Sequence, residues 1–189
     1  MTVPLIEGMK RLIPLAAAAL LLSGCGPDGR ADATPAARAD NPALTALFNA
    51  DQKARQDHRL DLMESMADAE RLAEAKAMLE RGDIRSGADY FRAAFIFHHS
   101  READDILKAH VLATAALAQG YQDAAWIAAA SLDRYLQGAG RPQIYGTQYI
   151  QMGAETTRGA FDADFMPDSV RRDTRVPPLA QQKAPPLGR

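Results

Sequence analysis

Residues 103–137, A-D-D-I-L-K-A-H-V-L-A-T-A-A-L-A-Q-G-Y-Q-D-A-A-W-I-A-A-A-S-L-D-R-Y-L-Q, decide the fold. Ile106, Ala109, Ala113 and Leu117 recur at spacings of three and four, which is one face of a helix. The pattern breaks at Gly120, a residue suited to a helix C-terminus. It resumes with Ala125, Ala128, Leu132 and Leu136. The stretch therefore reads as two helices, about Ala103 to Gly120 and Gln122 to Gln137. So short a turn implies antiparallel neighbours.

The same texture extends upstream. Asn41-Pro42 is a cap followed by a first-turn proline, opening a helix that runs to near Arg55 or His58. A second helix covers about Met63 to Glu80 and stops at Arg81-Gly82-Asp83. A third begins after Ser86-Gly87 and runs to about His99, with Ala88, Phe91, Phe95 and His98 as its stripe. The fold class is mainly α: a compact antiparallel domain of about five helices over residues 41–175. Ala113-x-x-Ala116-Leu117-Ala118-x-Gly120 followed by Ala124 resembles the helical hairpin of tetratricopeptide-like repeats. The match covers this hairpin and, loosely, a second around Ala88 to Ala94, short of the three or so repeats a solenoid needs, so the resemblance implies repeat-like packing in a compact domain. After Gly140, residues 144–150 and 156–161 are expected to pair as a small hairpin around Gly153-Ala154. The proline-punctuated tail, 176–189, is expected to be extended.

The N-terminus carries an address. Lys10-Arg11 precede an apolar run, Leu12 to Leu22, which ends in Leu22-Ser23-Gly24-Cys25. A basic start, a short apolar core and small residues describe a secretory signal. The run is about half the length that spanning a membrane takes. The tetrapeptide resembles the lipobox of bacterial lipoproteins. That resemblance implies cleavage before Cys25, diacylglycerol on its thiol and acylation of the new amino group, so 1–24 is the signal peptide. The signal is already complete from Met9. Residues 25–40, small and polar with two prolines, read as a tether between lipid and domain. Gly26 stands where an aspartate marks inner-membrane retention. In a host with two membranes the outer one, facing the periplasm, is the expected location.

Composition limits the partners. The chain has 22 lysines and arginines against 24 aspartates and glutamates, a formal charge of −2; losing Lys10, Arg11 and Glu7 with the signal leaves −3. That balance gives no general attraction to nucleic acid or acidic lipid, so membrane contact is expected through acyl chains on Cys25. Cys25 is the only cysteine, which excludes an internal disulfide. There is no H-E-x-x-H, no cysteine pair, no G-x-S-x-G, no phosphate loop and no dinucleotide fingerprint. No metal and no cofactor are expected.

The polar residues form a distinctive set. The first helix holds Asp51-Gln52-x-x-Arg55, the third ends in Phe97-His98-His99, and the fifth holds Asp133-Arg134. Directly after it comes Arg141-Pro-Gln-Ile-Tyr-Gly-Thr-Gln-Tyr149. Together these resemble a bacterial domain family of unknown function, over roughly Leu44 to Leu179. The positions that carry the resemblance are Asp51, Gln52, Arg55, His99, Asp133, Arg134, Gln143, Tyr145, Gly146, Thr147 and Gln148. Members often have glutamine where this chain has His98.

The chemistry can also be read directly. Asp51, Arg55 and His58 share one helical face, and Asp51 can hold Arg55 so that its guanidinium addresses a carboxylate or phosphate. As a solvated pair it would contribute only about 0.3–0.5 kcal/mol. His98 continues the apolar stripe and reads as a core histidine. His99, about 100° round the helix, is the site candidate, and His110 lies beside the stripe of the fourth helix. The loop has two readings: a clasp, in which Gly146 turns sharply and Gln143, Thr147 and Gln148 satisfy helix-end groups with Asp133 and Arg134 as anchors, or a pocket wall. Accordingly, a lipid-anchored binding or scaffold protein is expected, with an unidentified protein as one partner; a further reading is a tether whose proline tail binds a partner through extended backbone. The alternative is an enzyme acting on a small polar substrate through Asp51, Arg55, His99 and the Tyr145–Gln148 loop.

Overall fold

The computed structural model describes residues 38–57, 61–153 and 155–183. The signal, Cys25, most of the tether and His58 lie outside them. The described chain is mainly helical: α1 (Pro42–Gln56), α2 (Leu62–Glu80), α3 (Gly87–His98), α4 (Ala103–Ala118) and α5 (Ala124–Gly138). Then follow β1 (Ile150–Met152), β2 (Glu155–Thr157), the short α6 (Asp168–Asp173) and a 3-10 turn, Leu179–Gln181.

Local chemistry sets the helix limits. The Asn41 side chain accepts from the backbone N–H groups of Ala43 and Leu44, and Pro42 occupies the first turn. Ser86 and Asp89 form a capping box that opens α3. At the end of α4, Gly120 takes φ +82° and the Tyr121 N–H reaches back to the Ala116 carbonyl at 3.0 Å. That is the six-to-one bond of a Schellman end, and it turns the chain directly into α5.

The core follows from the alanines. α3 packs on α4 and α4 on α5, and α3 also meets α1, α2 and α5. Ala93, Ala94, Ala109, Ala113, Ala116, Ala124 and Ala130 are fully buried, so the helix backbones approach closely. Between them sit Leu44, Phe97 and Ile127, also fully buried. Phe48 on α1 meets Phe91 and Phe95 on α3 with ring centroids 5.7 Å apart in each pair. Because α3 is covered on several sides, its most buried residues, Ala93 to His98 except Phe95, extend beyond the single stripe that periodicity suggests.

Three features differ from the sequence reading. The hairpin turns at Gly153, but its strands pair only Ile150 with Thr157, Gln151 with Thr156 and Met152 with Glu155. Residues 144–149 are not in a ladder, because side chains claim their backbone groups. The end of the tether is docked: Asp40 accepts from the Ser86 hydroxyl at 2.7 Å and from Arg92 at 3.0 Å. The start of the tail is docked too. Val176 is buried at 2% exposure, and the Gln182 amide donates to the Tyr145 carbonyl at 2.9 Å.

Candidate functional site

The sequence-derived site residues fall into two clusters, one on each side of the Asp133–Arg134 step of α5. The first is a cleft of about 720 Å³ between α1, α2, the α3–α4 connection and Arg134. That volume suits a small ligand. Asp51, Arg55, His99 and Arg134 line it; the Tyr145–Gln148 loop does not. A single pocket built from both sets is therefore absent from the described residues.

Asp51, at 1% exposure, organises the cleft floor. Its Oδ2 accepts from the Gln52 amide at 2.8 Å, and its Oδ1 lies 2.9 Å from His99 Nδ1 and 3.5 Å from the Arg55 guanidinium. A carboxylate only accepts, so His99 Nδ1 carries a proton and donates it to Asp51. Nε2 has no partner among the described residues. Arg55 also binds Asp68 at 2.5 Å, and Arg71 bridges Asp68 to Glu64. Burial pushes the Asp68 carboxyl up, but hydrogen bonds from Arg55 and Arg71 outweigh it and hold its pKa below the usual range. The α3–α4 connection is pinned by Ser100, whose hydroxyl donates to Asp105 at 2.9 Å, and by Lys76, 2.6 Å from the same carboxylate.

Arg134 stands apart. Half-buried in the cleft wall, it has no hydrogen-bonding or ion-pair partner for its guanidinium among the described residues. Burial, and then the charge of Arg55, lower its pKa. Behind the cleft, His98 is 6% exposed and its Nδ1 lies 3.2 Å from the Ser131 hydroxyl. Burial and the nearby Arg134 push its pKa down to about 3, so it is a neutral core histidine joining α3 to α5. His110 Nδ1 faces the Ala128 carbonyl at 2.9 Å, tying α4 to α5.

The second cluster is a clasp. Asp133, fully buried, accepts from the N–H groups of Ile144 at 2.8 Å, Tyr145 at 3.0 Å and Thr147 at 2.9 Å, and from the Thr147 hydroxyl at 2.8 Å. Gln143, also fully buried, donates to the Gln148 carbonyl at 3.0 Å and accepts from the Gln148 N–H at 2.8 Å. The Gln148 amide reaches the Ala130 carbonyl on α5 at 3.2 Å. Gly146 takes φ +80°, and a Cβ there would lie 2.7 Å from Gln182 Oε1 and 3.0 Å from the Phe161 ring. Burial and then the Asp133 charge raise the Tyr145 pKa. The segment thus docks on α5 through Asp133. It was expected to meet the Asp51–Arg55 face or the His99 helix end; the three backbone bonds to Asp133 fix it elsewhere.

Sequence reasoning missed residues in both clusters. Arg171, at 1% exposure, donates to the carbonyls of Ile144 at 3.2 Å, Ala163 at 3.0 Å and Met166 at 2.5 Å. It locks the clasp from below, and nothing in its surroundings in the sequence marks it. Glu64 and Asp68 line the cleft on α2, bridged by Arg71; the spacing of four and three on one helical face was a readable signal. Among the described residues, no group of three or more His, Cys, Asp or Glu side chains is placed to hold a metal ion.

Compared with models of protein families, with curated proteins and with solved structures, the chain matches none.

Proposed function

We propose that this is a lipid-anchored cell-envelope protein whose helical domain binds a small polar ligand in the cleft between α1, α2, the α3–α4 connection and α5. The observation that carries the binding reading is Arg134. A half-buried guanidinium without a counter-charge is unfavourable for folding, and it faces a cleft large enough for a ligand. The lipobox motif supports the anchor, with Cys25 as the acylated residue. Among the described residues no helix is long and apolar enough to cross a membrane.

Two experiments test the two halves. Cys25→Ser is expected to abolish labelling by radioactive palmitate, and equal labelling of variant and wild type would remove the anchor from the proposal. Thermal shift of the full chain against a panel of small anionic, cationic, zwitterionic and neutral metabolites is expected to show stabilisation that Arg134→Gln abolishes. A panel without any Arg134-dependent response would remove the cleft.

A second reading, an enzyme on a small polar substrate, is favoured by the 2.9 Å Asp51–His99 pair, a carboxylate that orients a histidine lining the cleft, as general acid–base catalysis requires. Under it, His99→Asn retains binding and loses turnover; under the first reading no turnover exists to lose.

A further inference from the structure

The charges of the cleft narrow its ligand, an inference that rests on the binding reading above. Six carboxylates line the cleft against four lysine and arginine side chains. Two of the four cations are held by carboxylates: Lys76 by Asp105 at 2.6 Å, and Arg55 by Asp51 and Asp68. Arg101 is exposed to solvent and donates to the neutral Ser65 hydroxyl at 3.3 Å. Arg134 alone of the four has no partner among the described residues. On the acidic side, Glu102 is the N-cap of α4, yet its carboxylate makes no capping bond and has no partner among the described residues. One cleft therefore holds one half-buried cation and one carboxylate that no described residue engages.

Each end selects a chemistry. A guanidinium offers a planar fork of N–H donors and no acceptor, which matches a carboxylate bidentately. A polyanion would also find Arg134 but would meet the excess of carboxylates that line the same cleft. A ligand that satisfies both ends carries one carboxylate and one ammonium. We propose that the cleft binds a zwitterion, a free amino acid or short peptide, with its carboxylate on Arg134 and its ammonium toward Glu102.

The test is calorimetric titration of the detergent-purified full chain with each standard amino acid and each Ala-X dipeptide. The best binder is then repeated as its methyl ester, which lacks the carboxylate, and as its N-acetyl form, which lacks the ammonium. Removing the carboxylate or substituting Arg134→Gln is expected to weaken binding about tenfold or more, and the two losses should not add, because they remove one interaction. The N-acetyl form and Glu102→Gln are expected to cost only a few-fold, since Glu102 is exposed. Arg134→Lys, which keeps the charge but loses the fork, should fall between wild type and Arg134→Gln and covers the case in which the glutamine variant does not fold. Absence of binding by every member, an N-acetyl form that binds as tightly as its parent, or an Arg134→Lys affinity equal to wild type would each overturn the proposal. Inorganic phosphate and ATP are titrated alongside. If they bind through Arg134 while zwitterions do not, the zwitterion proposal fails and the small-ligand reading stands. If nothing binds through Arg134, both fail.

Discussion

Asp133 and Arg134 are neighbours about 100° apart on α5, and that rotation gives them opposite employment. Asp133 points into the clasp, where three backbone N–H groups and one hydroxyl converge on it. Asp133→Ala strands those donors in a buried site and is expected to cost about 3 kcal/mol or more in a urea melt. Gly146→Val meets both the left-handed backbone and the Phe161 ring, and should cost about 2 kcal/mol or more by the same measurement. Gln143→Ala should cost more than Gln148→Ala, because Gln143 is fully buried with bonds to two carbonyls and one N–H. Equal, small losses in both would contradict the clasp. The polar density of residues 141–149 announced a docked loop, and its anchoring by Asp133 was legible. That Arg134 takes no part in it was not, since periodicity places side chains on a helix but does not say which neighbour covers each side.

At the scale of elements, the five long helices were legible because their caps and periods agree: Asn41-Pro42, Ser86-Gly87 and Gly120 punctuate apolar stripes of period near 3.6. The hairpin was only half legible, because the Asp133 and Gln143 side chains withdraw residues 144–148 from strand pairing. α6 was not foreseen at all, for a helix of six residues has no usable period. α3 carries a titratable consequence. His98 is neutral in the folded chain, with a pKa near 3, against 6.5 as its ordinary value. The unfolded chain takes up the proton first, so stability is full above pH 6.5 and is lost as pH falls toward 3. The urea midpoint of wild type should therefore decline more steeply between pH 6.5 and 4 than that of His98→Gln; parallel declines would show that His98 is not the group responsible. The tail belongs to the domain in the same sense. Ending the chain at Arg175 removes buried Val176 and the Gln182 bond to the loop, and should lower the melting temperature by several degrees. No change would mean that residues 176–183 contribute nothing to stability.

At the scale of the whole molecule, the cleft could not be read from the sequence, because its walls come from helices whose relative placement depends on packing alanine against alanine. Asp51, Arg55, His99 and Arg134 were each recognisable as polar residues at helix faces or ends; their convergence was not. Nor did the sequence separate them from Gln143–Gln148, which belong to the fold. The proposed division is that residues 141–149 hold the domain together while Arg134 serves a ligand. Urea melts of wild type and Arg134→Gln, each alone and with the amino acid and dipeptide panel, test that division most directly. The expected result is a variant at least as stable as wild type when alone, since it loses an unpartnered half-buried charge beside Arg55, and indifferent to every panel member that protects wild type. A variant destabilised by more than about 1 kcal/mol when alone, or still protected by the same ligands, would show that Arg134 serves the fold and that the ligand binds elsewhere.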